Sequence, residues 1–215
     1  MTYLQIVNKV LRLLREDSVT TVSSTDYSAM IGDLVNTVKD EIEGAWQWNV
    51  LRDTITINTV ASTFRYVLTD SGTKSTLLDA WNDTSDWRMK NVSMEWLNLQ
   101  FNNVTYEESP NYYGINGSDS NGDLQIDIYP IPDAVYNLDF NLVKKQADLS
   151  SDTDIPLIPN DVIVLGAWAL AVSERGEDGS TSYTELNQRY QNSLADAIAI
   201  DASNMHTTET QWNVC

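Results

Sequence analysis

Tyr27 to Leu51 reads YSAMIGDLVNTVKDEIEGAWQWNVL. Its apolar residues Tyr27, Met30, Ile31, Leu34, Val35 and Val38, then Ile42, Ala45 and Trp46, recur in steps of three and four. That spacing predicts one face of an α-helix. Asp33, Asn36, Thr37, Lys39, Asp40, Glu41 and Glu43 fall on or beside the opposite face. Asp26 is the expected N-cap, because its carboxylate can accept the orphan N–H groups of the first turn. Trp46, beside Ala45 at helical spacing, is an expected core residue. Past Trp48 the period changes from 3.6 to 2 in Thr54-Ile55-Thr56-Ile57, so this stretch joins a helical layer to a β layer.

Towards the N-terminus, Tyr3, Leu4, Ile6, Val7, Val10, Leu11 and Leu14 predict a first amphipathic helix over about Thr2 to Glu16. Ser18 to Thr25 is a polar link short enough to return the chain antiparallel. In the other direction strands are predicted at Thr54–Ile57, Phe64–Leu68, Thr76–Trp81, Leu124–Tyr129 and Val135–Val143, and the Thr59–Thr63 link suggests a hairpin. Trp87–Asn91 carries no decisive pattern. Ser93 reads as the N-cap of a short helix over Met94–Phe101, and Gly114 to Gly122 reads as turns. The Pro-rich lead-in Ile155 to Pro159 precedes a helix over Val162–Arg175, capped by Asn160 or Asp161. Its small residues Gly166, Ala167, Ala169 and Ala171 predict close packing. Tyr183, Leu186, Tyr190, Leu194, Ala197 and Ile198 predict a last amphipathic helix, Ser182 to about Ile200.

The expected fold class is therefore α+β: an α-helical bundle of four main helices, an inserted antiparallel β-sheet region of five or so strands, and an extended C-terminal tail. The expected divisions are 1–51 with 156–200 for the bundle, 52–155 for the β-rich insertion with one short helix, and 201–215 for the tail. The tail has too few apolar groups to build a core of its own. Its isolated anchors Met205, Trp212 and Val214 are expected to dock on a partner.

Thirteen Lys and Arg against 31 Asp and Glu leave a net charge of −18 on 215 residues. Gripping nucleic acid requires a basic surface to neutralise phosphates, so that role is disfavoured. An acidic surface suits a basic partner, or a channel past which DNA slides without sticking. No apolar run is long enough to span a membrane, and the N-terminus shows no signal-peptide pattern. Cys215 is the single cysteine, which excludes an intramolecular disulfide framework.

Candidate chemistry is sparse. His206, the only histidine, lies in the polar tail, far in sequence from any candidate nucleophile. One His and one Cys are too few for a zinc site. Walker and dinucleotide fingerprints are missing. Asp119, Asn121 and Asp123 have the spacing of a calcium loop, but Leu124 stands where the turn glycine belongs, so a surface hairpin loop is expected. No cofactor, metal or catalytic residue is expected. Trp46, Trp48, Trp81, Trp87 and Trp96 could stack sugars, but such residues more often belong to cores or interfaces.

Several stretches stand out together: Thr2 to Glu16, the pattern Tyr27-Ser28, Ile31-Gly32, Leu34-Val35-Asn36, and Glu43-Gly-Ala-Trp46-Gln-Trp48-Asn-Val-Leu51-Arg52. Further on come Trp81-Asn-Asp83, Trp87, Glu95-Trp-Leu97 and Gly122 to Pro132. These stretches resemble the head-to-tail adaptor proteins of tailed bacteriophages. The match is closest to the adaptor, or tail tubular protein A-like, family of short-tailed phages. That resemblance implies a helical bundle with a β insertion and a structural virion role without enzymatic activity. It implies a ring of about twelve copies between portal protein and tail nozzle protein, joined by heterologous contacts, through whose lumen DNA passes. It implies that the C-terminal tail, with Met205, Trp212 and Val214, binds the portal. The protein would sit at the head–tail junction of the virion and in the host cytoplasm during assembly. Two other classes compete: a carbohydrate- or receptor-binding tail module, and a lytic hydrolase. A stopper or nozzle component is the nearest confusion among neck proteins.

Overall fold

A computed structural model of the chain describes residues 1–103, 106–176 and 181–204. In chain order the elements are α1 (Tyr3–Leu13), α2 (Asp26–Ala45), β1 (Arg52–Asn58), β2 (Arg65–Val67), β3 (Thr76–Asn82) and β4 (Trp87–Asn91). Then come α3 (Met94–Asn103), β5 (Tyr112–Ser118), β6 (Leu124–Tyr129), β7 (Asn137–Val143), α4 (Asn160–Arg175) and α5 (Thr181–Ser203). They form two compact units: a helical unit from Met1–Val50 and Gln146–Cys215, and a sheet unit from Leu51–Lys145.

In the helical unit, α1 starts at a capping box in which Thr2 and Gln5 exchange side-chain and backbone bonds. It buries Tyr3, Ile6, Val7, Val10 and Leu11. Thr25, not Asp26, caps α2. Its extended backbone places its hydroxyl 3.0 Å from the Ser28 N–H, and Asp26 becomes the first helical residue, where its charge suits the helix dipole. In α4, Pro159 occupies the cap position without a side-chain bond, so Asn160 and Asp161 are its first residues and not caps. This helix lies against α1, α2 and α5. A Cβ on Gly166 would stand 2.6 Å from Val38 Cγ1 and 3.0 Å from Tyr190 Cε2, so only glycine lets α2 and α5 close in there. Gly176, at φ 61, ends α4 in the left-handed region. Arg175, one residue earlier, bonds Tyr27 Oη at 2.7 Å and the Leu14 carbonyl, and pairs with Glu16.

The segment Gln146–Asp154 has no regular structure, and N-terminal side chains pin it. Asn36 exchanges two bonds with the Leu149 backbone, at 3.0 and 2.9 Å. The Asp152 carboxylate accepts from Val22 N–H at 2.9 Å. The carbonyls of Asp154 and Asp152 accept the Tyr3 and Leu4 N–H groups, which satisfies orphan donors of α1. The Asp154 carboxylate accepts from the Ser151 and Ser150 N–H groups, which hold its carboxyl below the usual carboxylate range. Lys39 completes this strap. Its fully buried ammonium donates to the Gln146 carbonyl at 2.8 Å and lies 3.4 Å from a Glu43 carboxylate that is equally buried. Sequence periodicity places both residues on or beside the polar face; the strap covers that flank.

The sheet unit contains one seven-stranded sheet in the order β1-β7-β3-β4-β5-β6-β2. All neighbours are antiparallel except β4 and β5, which are parallel. The expected β1–β2 hairpin does not exist, because these strands are the two edges of the sheet. Laid flat, seven strands at about 4.8 Å each would separate those edges by roughly 29 Å. The connection from Asn58 to Arg65 reaches at most about 24 Å. The sheet therefore curls into a half-barrel. Bulges between Leu77 and Asp79 and between Ile115 and Ser118 add to the bend. Inside lie Leu68, Met89, Tyr113, Ile126, Leu138 and Phe140. The three-residue β2 is anchored by Arg65, whose guanidinium forms a two-bond fork with buried Asp127 directly across the ladder, at 2.8 and 2.9 Å. Ser93 does cap α3, accepting from the Trp96 N–H at 3.2 Å. Trp96 and Phe101 of α3 pack on Tyr112 and Tyr129 of β5 and β6.

These facts overturn the expected fold class. The protein is mixed α/β, with five α-helices and a curled seven-stranded sheet among the described residues, and not a four-helix bundle with an inserted antiparallel region. The helices are arranged about α4, whose small side chains admit neighbours on several sides, so no central four-helix seam forms. Two strands escape sequence periodicity. In β4 only Met89 is buried, and β5 carries Gly114 and Gly117, which read as turns.

Lys39→Ala should destabilise the chain by about 3 kcal/mol, since it removes the cation that lies beside the buried Glu43 carboxylate. Lys39→Met combined with Glu43→Met should recover most of that loss. Chemical denaturation followed by far-ultraviolet circular dichroism measures both. A paired variant as unstable as the single one would place the cost in lost shape, not in the lost cation.

Candidate interaction surfaces

The chain runs from α2 into β1 through two tryptophans with different fates. Trp48 is the core residue, 2% exposed, with its indole N–H given to the Ile42 carbonyl at 2.7 Å. Trp46 is only half-buried, because α2 stops at Ala45 and helical spacing no longer applies after it. Its indole donates to the Asp201 carboxylate at 3.0 Å. Asp201 also accepts from the Asn49 N–H at 3.2 Å, and its carbonyl accepts from the Asn49 amide at 3.1 Å. The end of α5 is thereby locked to the turn that leaves α2.

A groove of about 550 Å³ opens beside this lock. Its walls are Trp48 and Val50, Leu157 and Ile158, and Ala197 and Ile200. It exists because α5 runs for 23 residues against 16 in α4, so about 10 Å of α5 has no α4 to lie along. Ile200, Leu157 and Val50 remain 67%, 51% and 48% exposed. The charged residues of the lining are Asp161, Asp196 and Asp201. Sequence reading missed this surface. Its signal is Leu157 held between Pro156 and Pro159, and an α5 pattern that stays apolar to Ile200.

The tail anchors Met205, Trp212 and Val214 lie outside the described residues, as do His206 and Cys215. The described chain stops at Asn204, which lines the groove. Trp81 and Trp87 do not form a joint sugar platform. Trp81 faces Arg88 across the β3–β4 ladder and Trp87 faces Asn82, so the two project to opposite faces. Trp96 is committed to the aromatic cluster under α3. Asp119 accepts from the N–H groups of Asn121 and Asp123, while the Asp123 carboxylate accepts from Gly72 N–H at 2.8 Å and Asp70 N–H at 3.2 Å. These carboxylates hold two turns together. Among the described residues no group of three or more His, Cys, Asp or Glu could hold a metal ion, and no helix is long and apolar enough to cross a membrane.

The charge is uneven. The helical unit carries 18 acidic and 6 basic residues, the sheet unit 13 and 7. In the sheet unit a smaller cavity of about 270 Å³ is lined by Arg52, Asp53, Thr54, Leu78, Asp79 and Asn141. Lys144 beside Asp53 holds its carboxyl below the usual range.

A family model described as SU10 adaptor protein matches residues 1–213. The chain belongs to the SU10 adaptor family. This is a family of phage head-to-tail adaptors, structural components of the virion, so the resemblance seen in the sequence holds at that level. No curated protein matches the chain. An adaptor of this family works by contact with other neck and tail proteins, which makes the groove and the uneven charge its candidate functional surfaces.

Asp201→Ala should lower stability by about 2 kcal/mol, since it removes two hydrogen bonds to a charged acceptor. Trp46 emission should move to longer wavelength. Unchanged melting and unchanged emission would show that the lock carries no weight.

Proposed function

We propose that the chain is a head-to-tail connector of the tail tubular kind. It forms a ring of about twelve copies between portal protein and tail nozzle, and continues the DNA channel for packaging, retention and ejection of the genome. Membership of the adaptor family over residues 1–213 carries this reading. The charge of −18 supports it, because an acidic lumen repels the phosphate backbone and lets duplex DNA move. The role requires no catalysis and no cofactor. The helical unit, to which the strap Gln146–Asp154 and the end of α5 belong, would act as one domain, Leu51–Lys145 as the sheet domain, and the segment beyond Asn204 as the extension that reaches the portal. Met205, Trp212 and Val214 are its proposed portal anchors. A tail with few apolar residues concentrates its binding in them, and an indole can bury a large apolar face in a partner's groove.

Trp212→Ala should weaken attachment to the portal by about 2 kcal/mol or more per subunit, while the melting temperature of the free protein stays the same. A fall in melting temperature would assign Trp212 to the protein's own fold. No change in either would remove it from the anchor. The isolated protein should show no detectable binding to duplex DNA at physiological salt. Micromolar, salt-sensitive binding would count against a repelling lumen.

A further inference from the structure

A ring of identical subunits needs two different patches on each copy, one complementary to the other. The helical unit offers such a pair on two separate flanks. Its α4 takes α1 on one side and α5 on another, and α1 and α5 share no substantial contact. On α1, Lys9 and Arg12 stand three residues apart on one helical face, with Arg15 just past the end and Leu13 39% exposed beside them. The distribution of cations makes this ridge distinctive. Of the helical unit's six basic residues, Lys39 is buried against Glu43, Arg175 is taken up by Glu16 and Tyr27, and Arg189 lies on α5. The remaining three are all on this ridge.

The α5 flank has the opposite character. The groove has an apolar floor, and all its charged lining residues are acidic: Asp161, Asp196 and Asp201. The carboxyl end of α5, a 23-residue helix with no basic residue in its last turn, also lies at this groove. The partial negative charge of that helix end favours a cation from outside.

We infer that the occupant of the groove is the α1 ridge of a second copy of this chain. Leu13 enters the apolar floor, and Lys9, Arg12 and Arg15 meet the acidic rim. The contact joins two different patches, so each added copy leaves a new ridge or a new groove free, and the chain of contacts ends only by closing. A groove of about 550 Å³ takes two or three side chains, so one such contact is weak by itself. It gains strength when a template holds many copies together. The inference rests on the ring reading above, and names the surface that closes the ring.

Cysteine trapping of the full-length chain tests it. In a Cys215→Ser background, Arg12→Cys with Asp196→Cys should on oxidation give a ladder of three, four and more chains. Each single-cysteine variant should stay at one chain, because like positions do not meet in this contact, and peptide mapping should find that the crosslinks join position 12 to position 196. Products of the double variant that stop at two overturn the proposal. Sedimentation of charge-reversed chains is the second arm, run at submillimolar concentration, where even a weak contact should hold the parent above the monomer mass; a parent that is monomeric there overturns the proposal. Lys9→Glu with Arg12→Glu, and separately Ser193→Lys with Asp196→Lys, should each sediment at the monomer mass, and their equimolar mixture should regain the parent's mean mass. Parent-like association in the α1 variant, or a mixture that stays monomeric, overturns it as well. Circular dichroism shows that the variants fold. Portal attachment, measured separately, distinguishes the two levels. A ring on the portal without the ladder leaves the connector reading intact and refutes this surface. A ladder without portal attachment does the reverse.

Discussion

The buried ammonium of Lys39 is the contact on which the helical unit depends. It binds the carbonyl of Gln146, where the chain re-enters this unit after the whole sheet unit has been built. An isolated charge at that depth would be prohibitive, and the Glu43 carboxylate offsets it. From this anchored point the strap runs on past Asn36, Val22, Tyr3 and Leu4, each of which bonds its backbone or its carboxylates. The strap in turn delivers α4 to the middle of the unit. Apolar burial supplies the driving force for α1, α2 and α4 to associate. The polar strap decides in which register they do so.

The sheet unit is held by a constraint of length. A six-residue connection between its two edge strands cannot cross a flat seven-stranded sheet, so curvature is imposed by connectivity before any side chain is considered. The curl then gives Leu68, Phe140 and Ile126 a common interior. The weak point is β2, only three residues long. The Arg65–Asp127 fork, with Asn116 giving Asp127 a further bond at 3.0 Å, compensates for its short ladder.

Much of this was legible in the sequence where burial follows a period. The apolar stripes of α1 and α2, the small residues of α4 and the alternation in β6 and β7 each report a face that one neighbour covers. Lys39 and Glu43 were misread because the group that covers them lies 107 residues further on, and local hydropathy cannot register it. Trp46 was expected in the core and is only half-buried, because α2 ends at Ala45 and its helical spacing does not reach the tryptophan. The fold class was misassigned because β4 and β5 lack an apolar period, which hid two strands and the parallel pairing between them. The groove is a product of two lengths, those of α4 and α5, and neither helix shows it alone. The phage-adaptor resemblance was carried by motifs such as Glu43-Gly-Ala-Trp46, whose Glu and Trp make specific contacts here, with Lys39 and Asp201.

The split of the helical unit across the chain also sets a timetable for synthesis. When α1 and α2 leave the ribosome, their apolar faces have neither the strap nor α4 to cover them. At roughly 5–20 residues per second, the wait until α4 emerges is on the order of ten seconds. The sheet unit is contiguous and is complete first. For that interval the nascent chain carries a finished half-barrel and a helix pair whose α4-facing surfaces are bare, the state in which a host chaperone has most to bind.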